Sequence, residues 1–208
     1  MNISKLLLID AVLVIAAIPL LFFVSGIKRK SQFLRSSSKE ELLRKASGKL
    51  PDKEKLRELE KFSKEQGSGI EFDSIIGIWK FISIWKKDID EEDTIFSSLL
   101  RVFSAKIEFK KDLSTKNSTE LSVIASIQFG LFSIGFSGTG YLKGKQPLLA
   151  FCLNLIELKA GSNILLRRSL KEPEDKEKSF FAMIALEEKD DLLSARAQGG
   201  EVVIWLKD

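Results

Sequence analysis

The feature that most constrains this 208-residue chain is a period of two. Phe103, Ala105, Ile107 and Phe109 alternate with Ser104, Lys106, Glu108 and Lys110. Leu121, Val123, Ala125, Ile127 and Phe129 alternate with mostly polar positions, and Phe180, Ala182, Ile184 and Leu186 continue the habit. Successive side chains of a strand point to opposite faces, so this alternation describes strands with one face in a core. It predicts eight or nine of them, at roughly 76–86, 103–111, 119–129, 131–143, 147–158, 162–168, 178–187, 191–197 and 201–207. The connections are short and rich in charge or glycine: Lys143-Gly144-Lys145, Ala160-Gly161-Ser162, Glu188-Lys189-Asp190. Closely spaced strands imply an antiparallel meander, and closing it into a β-barrel removes the exposed edges. Residues 70–208 suffice for one such mainly-β domain. The segment 88–101 reads as a short helix between the first two strands, capped by Asp93 or Thr94.

A different pattern precedes the strands. Leu6 to Val24 (LLLIDAVLVIAAIPLLFFV) contains one charge, Asp10, and is long enough to cross a hydrocarbon core of ~30 Å. A signal h-region is shorter, ~7–15 residues, with a basic region before it, whereas here only Lys5 precedes. A helix apolar on every face belongs in the core of a large protein or in a membrane, and a membrane span is the reading favoured here. Residues 1–27 are therefore expected to be an uncleaved transmembrane helix. Lys28, Arg29, Lys30 and Arg35 follow it, and Lys- and Arg-rich flanks stay on the cytoplasmic side. The expected protein is single-pass, with its β domain facing the cytoplasm. The lone cysteine, Cys152, suits that reducing side and reads as a core filler.

Residues 28–66 hold 13 Lys and Arg against 7 Asp and Glu, whereas residues 70–208 hold 19 against 21. The basic character belongs to the juxtamembrane segment. That points to anionic membrane lipids as partners and away from nucleic acid, whose binders carry cations over the folded surface. Residues 28–69 read as a basic helical linker. Ser38 and Glu41 have capping-box spacing, Pro51 suits a first helical position, and Leu56, Leu59 and Phe62 form a thin apolar stripe.

Two ends of the β domain carry a resemblance. Gly77-Ile78-Trp79 opens the first strand as the G-x-W motif does in lipocalin-type barrels. The run from Asp190 to Lys207 (DDLLSARAQGGEVVIWLK) resembles the end of the plastid-lipid-associated proteins, the fibrillins. Leu193 stands where that family often has Arg, and Ala197 where it has Gly. The resemblance implies a lipocalin-like, calycin-type barrel of plastids or cyanobacteria. It implies association with thylakoid membranes and a role in carrying or organising apolar molecules. It also implies barrel closure by Trp79 packed near Arg196, with Gly77, Gly199 and Gly200 allowing close approach.

Catalytic chemistry finds little support. The chain has no His and one Cys, which excludes imidazole acid–base work, His metal sites and thiolate cages. The acidic run Asp88, Asp90, Glu91, Glu92, Asp93 lacks the glycine and distal Glu of a calcium loop and reads as a solvated turn. No phosphate-binding glycine motif is present. No enzyme activity, metal or cofactor is expected. Alternation turns Trp79, Phe81, Trp85, Phe103, Ile107, Phe109, Val123, Ile127 and Phe129 inward, and these are the candidates for lining an apolar cavity. The leading expectation is a non-enzymatic binder of a lipid, quinone or pigment such as a carotenoid. The alternatives are a structural or assembly factor docking a membrane protein complex, and a bilin lyase-like calycin.

Overall fold

The computed structural model describes residues 50–208, apart from 88–90, 112–119, 146, 172–177, 188 and 190. The expected membrane span, the first linker helix, the basic residues Lys28, Arg29, Lys30 and Arg35, and part of the acidic run lie outside the described residues. No helix among the described residues is long and apolar enough to cross a membrane.

Helix α1 (Lys53–Gln66) starts where Asp52 caps it, its carboxylate accepting the Lys55 N–H at 2.6 Å. Pro51 thus precedes the cap and does not fill the first helical turn. The helix ends at Gly67, whose φ of 95° favours glycine. Its packed face is Leu56, Glu60 and Ser63, one side of a 3.6-residue period, while Phe62 of the expected stripe is exposed. The helix packs on the sheet through this face.

After a 3₁₀ turn (Asp73–Ile75) come β1 (Gly77–Trp85), helix α2 (Thr94–Val102), β2 (Lys106–Lys111), β3 (Glu120–Phe129), β4 (Phe132–Lys143), β5 (Leu148–Ala160), β6 (Asn163–Ser169), β7 (Ser179–Glu187), β8 (Leu192–Ala197) and β9 (Val202–Lys207). The predicted strands are all present. β2 starts three residues late because Phe103 ends α2 and Ser104 turns the chain at φ 48°. Asp93 caps α2 by accepting the Phe96 N–H at 3.1 Å.

All neighbours are antiparallel, in the order β4-β3-β2-β1-β9-β8-β7-β5-β6. β4 also pairs with β5, so the ladder of eight strands returns on itself as a ring. β6 stands outside that ring. Leu148 to Phe151 of β5 pair with β7, whereas Leu155 to Ala160 pair with β6. β6 and β7 thus succeed one another along one edge of β5. Among the described residues, no strand pairs with the far edge of β6.

Among the described residues, two apolar clusters hold the structure. The larger fills the ring and includes Trp79, Phe81, Phe103, Ile107, Phe109, Val123 and Ile127. The smaller lies between the sheet and α1: Leu56, Ile82, Trp85, Ile184, Leu192, Val202, Ile204 and Leu206. Trp85 was expected inside the ring, and the structure corrects this. The β1–β9 register shifts between Phe81 and Ser83, a bulge that adds one residue and reverses the faces beyond it. Ile84 therefore turns inward and Trp85 packs in the cluster with α1. Phe129 is also corrected: it is 51% exposed at the rim, its ring 5.5 Å from that of Phe103.

Gly138 shows why one strand is rich in glycine. The β4–β5 register shifts there, and a Cβ at Gly138 would lie 1.8 Å from the Cys152 carbonyl oxygen. Close backbone approach at a bulge accounts for it.

Candidate functional site

The expected closure pair does not form as predicted. Trp79 is fully buried, and its indole N–H donates to the Ile75 carbonyl at 2.7 Å. The cation over its ring is Lys207, with Nζ 5.2 Å from the centroid. Arg196 instead grips α1: Nε donates to Glu60 Oε1 at 2.7 Å, Nη2 to Oε2 at 2.5 Å, and Nη1 to the Gly200 carbonyl at 2.5 Å. Two geometric facts explain this. Ala195 and Ala197 face the ring core, so Arg196 between them faces outward. In register, Trp79 pairs with Lys207, whereas Arg196 pairs with Val202 and Val202 with Trp85. Arg196 is thus six residues along β1 from Trp79, ~20 Å of strand. Gly77 and Trp79 lie at one end of the ring; Arg196, Gly199 and Gly200 lie at the other. Burial raises the Glu60 pKa, but the hydrogen bonds and charges of Arg196 and Lys64 outweigh it and hold the carboxyl below its ordinary range.

A second polar cluster sits at the β1 bulge. Arg101 Nη1 donates to the Ile82 carbonyl at 2.7 Å and to Glu92 Oε1 at 3.0 Å. Ser83 accepts from the Trp85 indole N–H and donates to Glu92, both at 3.1 Å, and Ser97 Oγ accepts the Ile84 N–H at 3.0 Å. Every buried side-chain polar atom among the described residues has a partner. These hydroxyls and carboxylates are committed to fastening α2 to the bulged strand. Among the described residues, no group of three or more acidic or Cys side chains is placed to hold a metal.

The apolar candidates divide by exposure. Of them, Trp79 and Val123 have no accessible surface and Phe109 has 1%, and their neighbours Leu121, Leu149, Leu193 and Ala195 have none. A side chain without accessible surface borders no water-sized space. This part of the ring is filled by its own side chains, as small barrels often are.

The apolar face continues, however, beyond the filled part. Directly opposed residues of an antiparallel ladder share a face. Ile127 opposes Ile134, Ile134 opposes Leu158, and Leu158 opposes Leu166. This row begins at buried Ile127 and ends at Leu166, which is 52% exposed on β6. The next row outward is Phe129, Phe132, Ala160 and Asn163; the next inward is Ala125, Phe136, Ile156 and Arg168. The interior surface of the ring thus runs out onto an open wing, with one guanidinium in the adjoining row. Such a surface can hold an elongated apolar molecule against the sheet. Sequence reasoning missed Ile134, Leu158 and Leu166. The signal was present in Ile164-Leu165-Leu166-Arg167-Arg168, where alternation fails.

No family model matches this chain, and no curated protein matches it.

Proposed function

We propose that this chain is a membrane-tethered, non-enzymatic protein that holds an apolar molecule of the lipid, quinone or pigment class. The proposed binding surface is the face running from Ile127 and Ile134 to Leu158 and Leu166. The observation that carries this reading is the unbroken apolar row that leaves a sealed core and becomes half exposed on β6. Leaving large apolar side chains in contiguous array at a surface is rare unless something covers them. The eight-strand ring supports a barrel-like fold. The fibrillin kind and a photosynthetic membrane rest on the resemblance of the two end motifs alone, whose Trp79–Arg196 closure does not form. The N-terminal apolar run with its basic flank supports a membrane tether with the ring on the cytoplasmic side.

Purification of the full chain in mild detergent, followed by mass spectrometry of the organic extract, tests the reading. A stoichiometric apolar compound that is lost in Leu158→Asp/Leu166→Asp supports it. Repeated absence of any such compound overturns it. A docking role for a membrane protein complex draws on the same exposed face and on the filled ring. A co-purifying protein in place of the small molecule favours that second reading.

A further inference from the structure

We infer that the outer end of the sheet, formed by the turns at 129–132 and 160–166, docks on an anionic lipid bilayer surface. Leu131 at the first turn is 77% exposed, with Phe129 and Phe132 about half exposed beside it. Ile164, Leu165 and Leu166 extend from the second turn and are each at least half exposed. The Gly161 N–H donates to the Leu131 carbonyl at 2.7 Å, so the two turns form one tip. Phe129, Phe132 and Leu166 belong to one face of the sheet and Ile164, opposite Lys159, to the other, so the tip exposes apolar side chains on both of its faces.

Charge selects the occupant. Residues 155–171 contain Lys159, Arg167, Arg168 and Lys171 against one carboxylate, Glu157, and residues 128–134 contain no charge. Glu157 is already paired with Lys159 at 3.0 Å and Arg167 at 2.9 Å. Arg167 follows Ile164 by three residues, ~10 Å of strand. Interfacial segments bury their apolar side ~5–10 Å into the headgroup boundary, which brings the arginines to the level of lipid phosphates. The chain also supplies its own proximity. Twenty-eight residues separate Val24, the end of the apolar run, from α1, a tether that spans at most ~100 Å. Tethering raises the local concentration of the bilayer surface, so weak docking suffices. This inference shares the membrane tether and the exposed Leu166 with the proposed function but not its small molecule.

The test uses the full chain reconstituted in vesicles of phosphatidylcholine alone or mixed with phosphatidylglycerol. An environment-sensitive fluorophore is attached at Leu131→Cys or, at the opposite end of the ring, at Lys143→Cys. Unsubstituted protein reports labelling of the buried Cys152. In anionic vesicles the label at 131 shifts to the blue and is quenched by lipids with shallow spin labels, while that at 143 is not. Replacing Arg167 and Arg168 with Glu reduces the docked-to-free ratio at least about fivefold, the weight of one cation at an anionic surface. No quenching at 131, equal quenching at both positions, or indifference to lipid charge overturns the inference. Quenching at 131 without a co-purified apolar compound sinks only the ligand reading; a compound with a silent label sinks only the docking.

Discussion

The grip of Arg196 on Glu60 is open to a quantitative test, because it replaces a contact expected from the G-x-W resemblance. The Glu60 side chain is 9% exposed and that of Arg196 23%, and two short charge-assisted hydrogen bonds join them. Breaking a fully buried pair by removing one partner costs ~3–5 kcal/mol. Here Lys64, 2.8 Å from Glu60, remains and water reaches the guanidinium, so Arg196→Met should cost ~2–3 kcal/mol. At ~2–4 °C per kcal/mol for a domain of this size, the melting temperature should fall by ~4–12 °C. Glu60→Leu alone strands the cation, but the double variant replaces the pair with apolar contact and should recover at least half of the loss. Urea unfolding of the full chain in detergent, followed by Trp emission, measures all four corners of the cycle. The pH profile adds an independent arm. The folded carboxyl lies below its ordinary range, so its stabilisation is complete above the unfolded value of ~4.3 and is lost as pH falls through the folded value. Glu60→Leu removes that acid limb. A loss under ~0.5 kcal/mol for Arg196→Met, or strict additivity in the double variant, refutes the reasoning.

Gly138→Ala should prevent or severely weaken folding, since its methyl would collide with the β5 backbone at the bulge; a far-UV spectrum and melting temperature unchanged from the parent would contradict this. Trp79→Phe removes an indole donor from the buried Ile75 carbonyl and should cost ~1–3 kcal/mol, whereas Lys207→Met loses only a ring–cation contact worth ~0.5–1 kcal/mol; calorimetry that reverses this order counts against the geometry at the base of the ring. For orientation, protease on the cytoplasmic side of sealed membranes should digest the β domain, and protection there with cleavage from the other side would favour a secreted domain.

Strands β2 and β3 were legible because alternation at period two is written along them, whereas in β7 the ring core takes Phe181 and Met183 in place of the expected Phe180 and Ala182. The turns at Gly144 and Gly161 were legible from their glycines, and both adopt positive φ. What was not legible depends on one-residue shifts. The bulge at Phe81–Ser83 leaves no mark in the string GIWKFISIW, yet it sends Trp85 to the other face. The packed face of α1 includes Glu60 and Ser63, which read as solvent-facing until Arg196 arrives from a strand 136 residues away. Arg196 itself could have been assigned outward from its position between Ala195 and Ala197, since those alanines fit only where the ring core is tight. The wing escaped notice for a different reason. Alternation locates a face that is buried, and β6 is exposed along its whole length.

The central claim is that an apolar molecule lies along the row from Ile127 to Leu166. A photoreactive fatty-acyl probe, added to the full chain in detergent, activated and mapped by peptide mass spectrometry, tests it most directly. The account predicts cross-links within 127–134 and 156–168, suppressed by Leu158→Asp/Leu166→Asp. Cross-links confined to α1 or to the base of the ring near Trp79, or none above background, would contradict it.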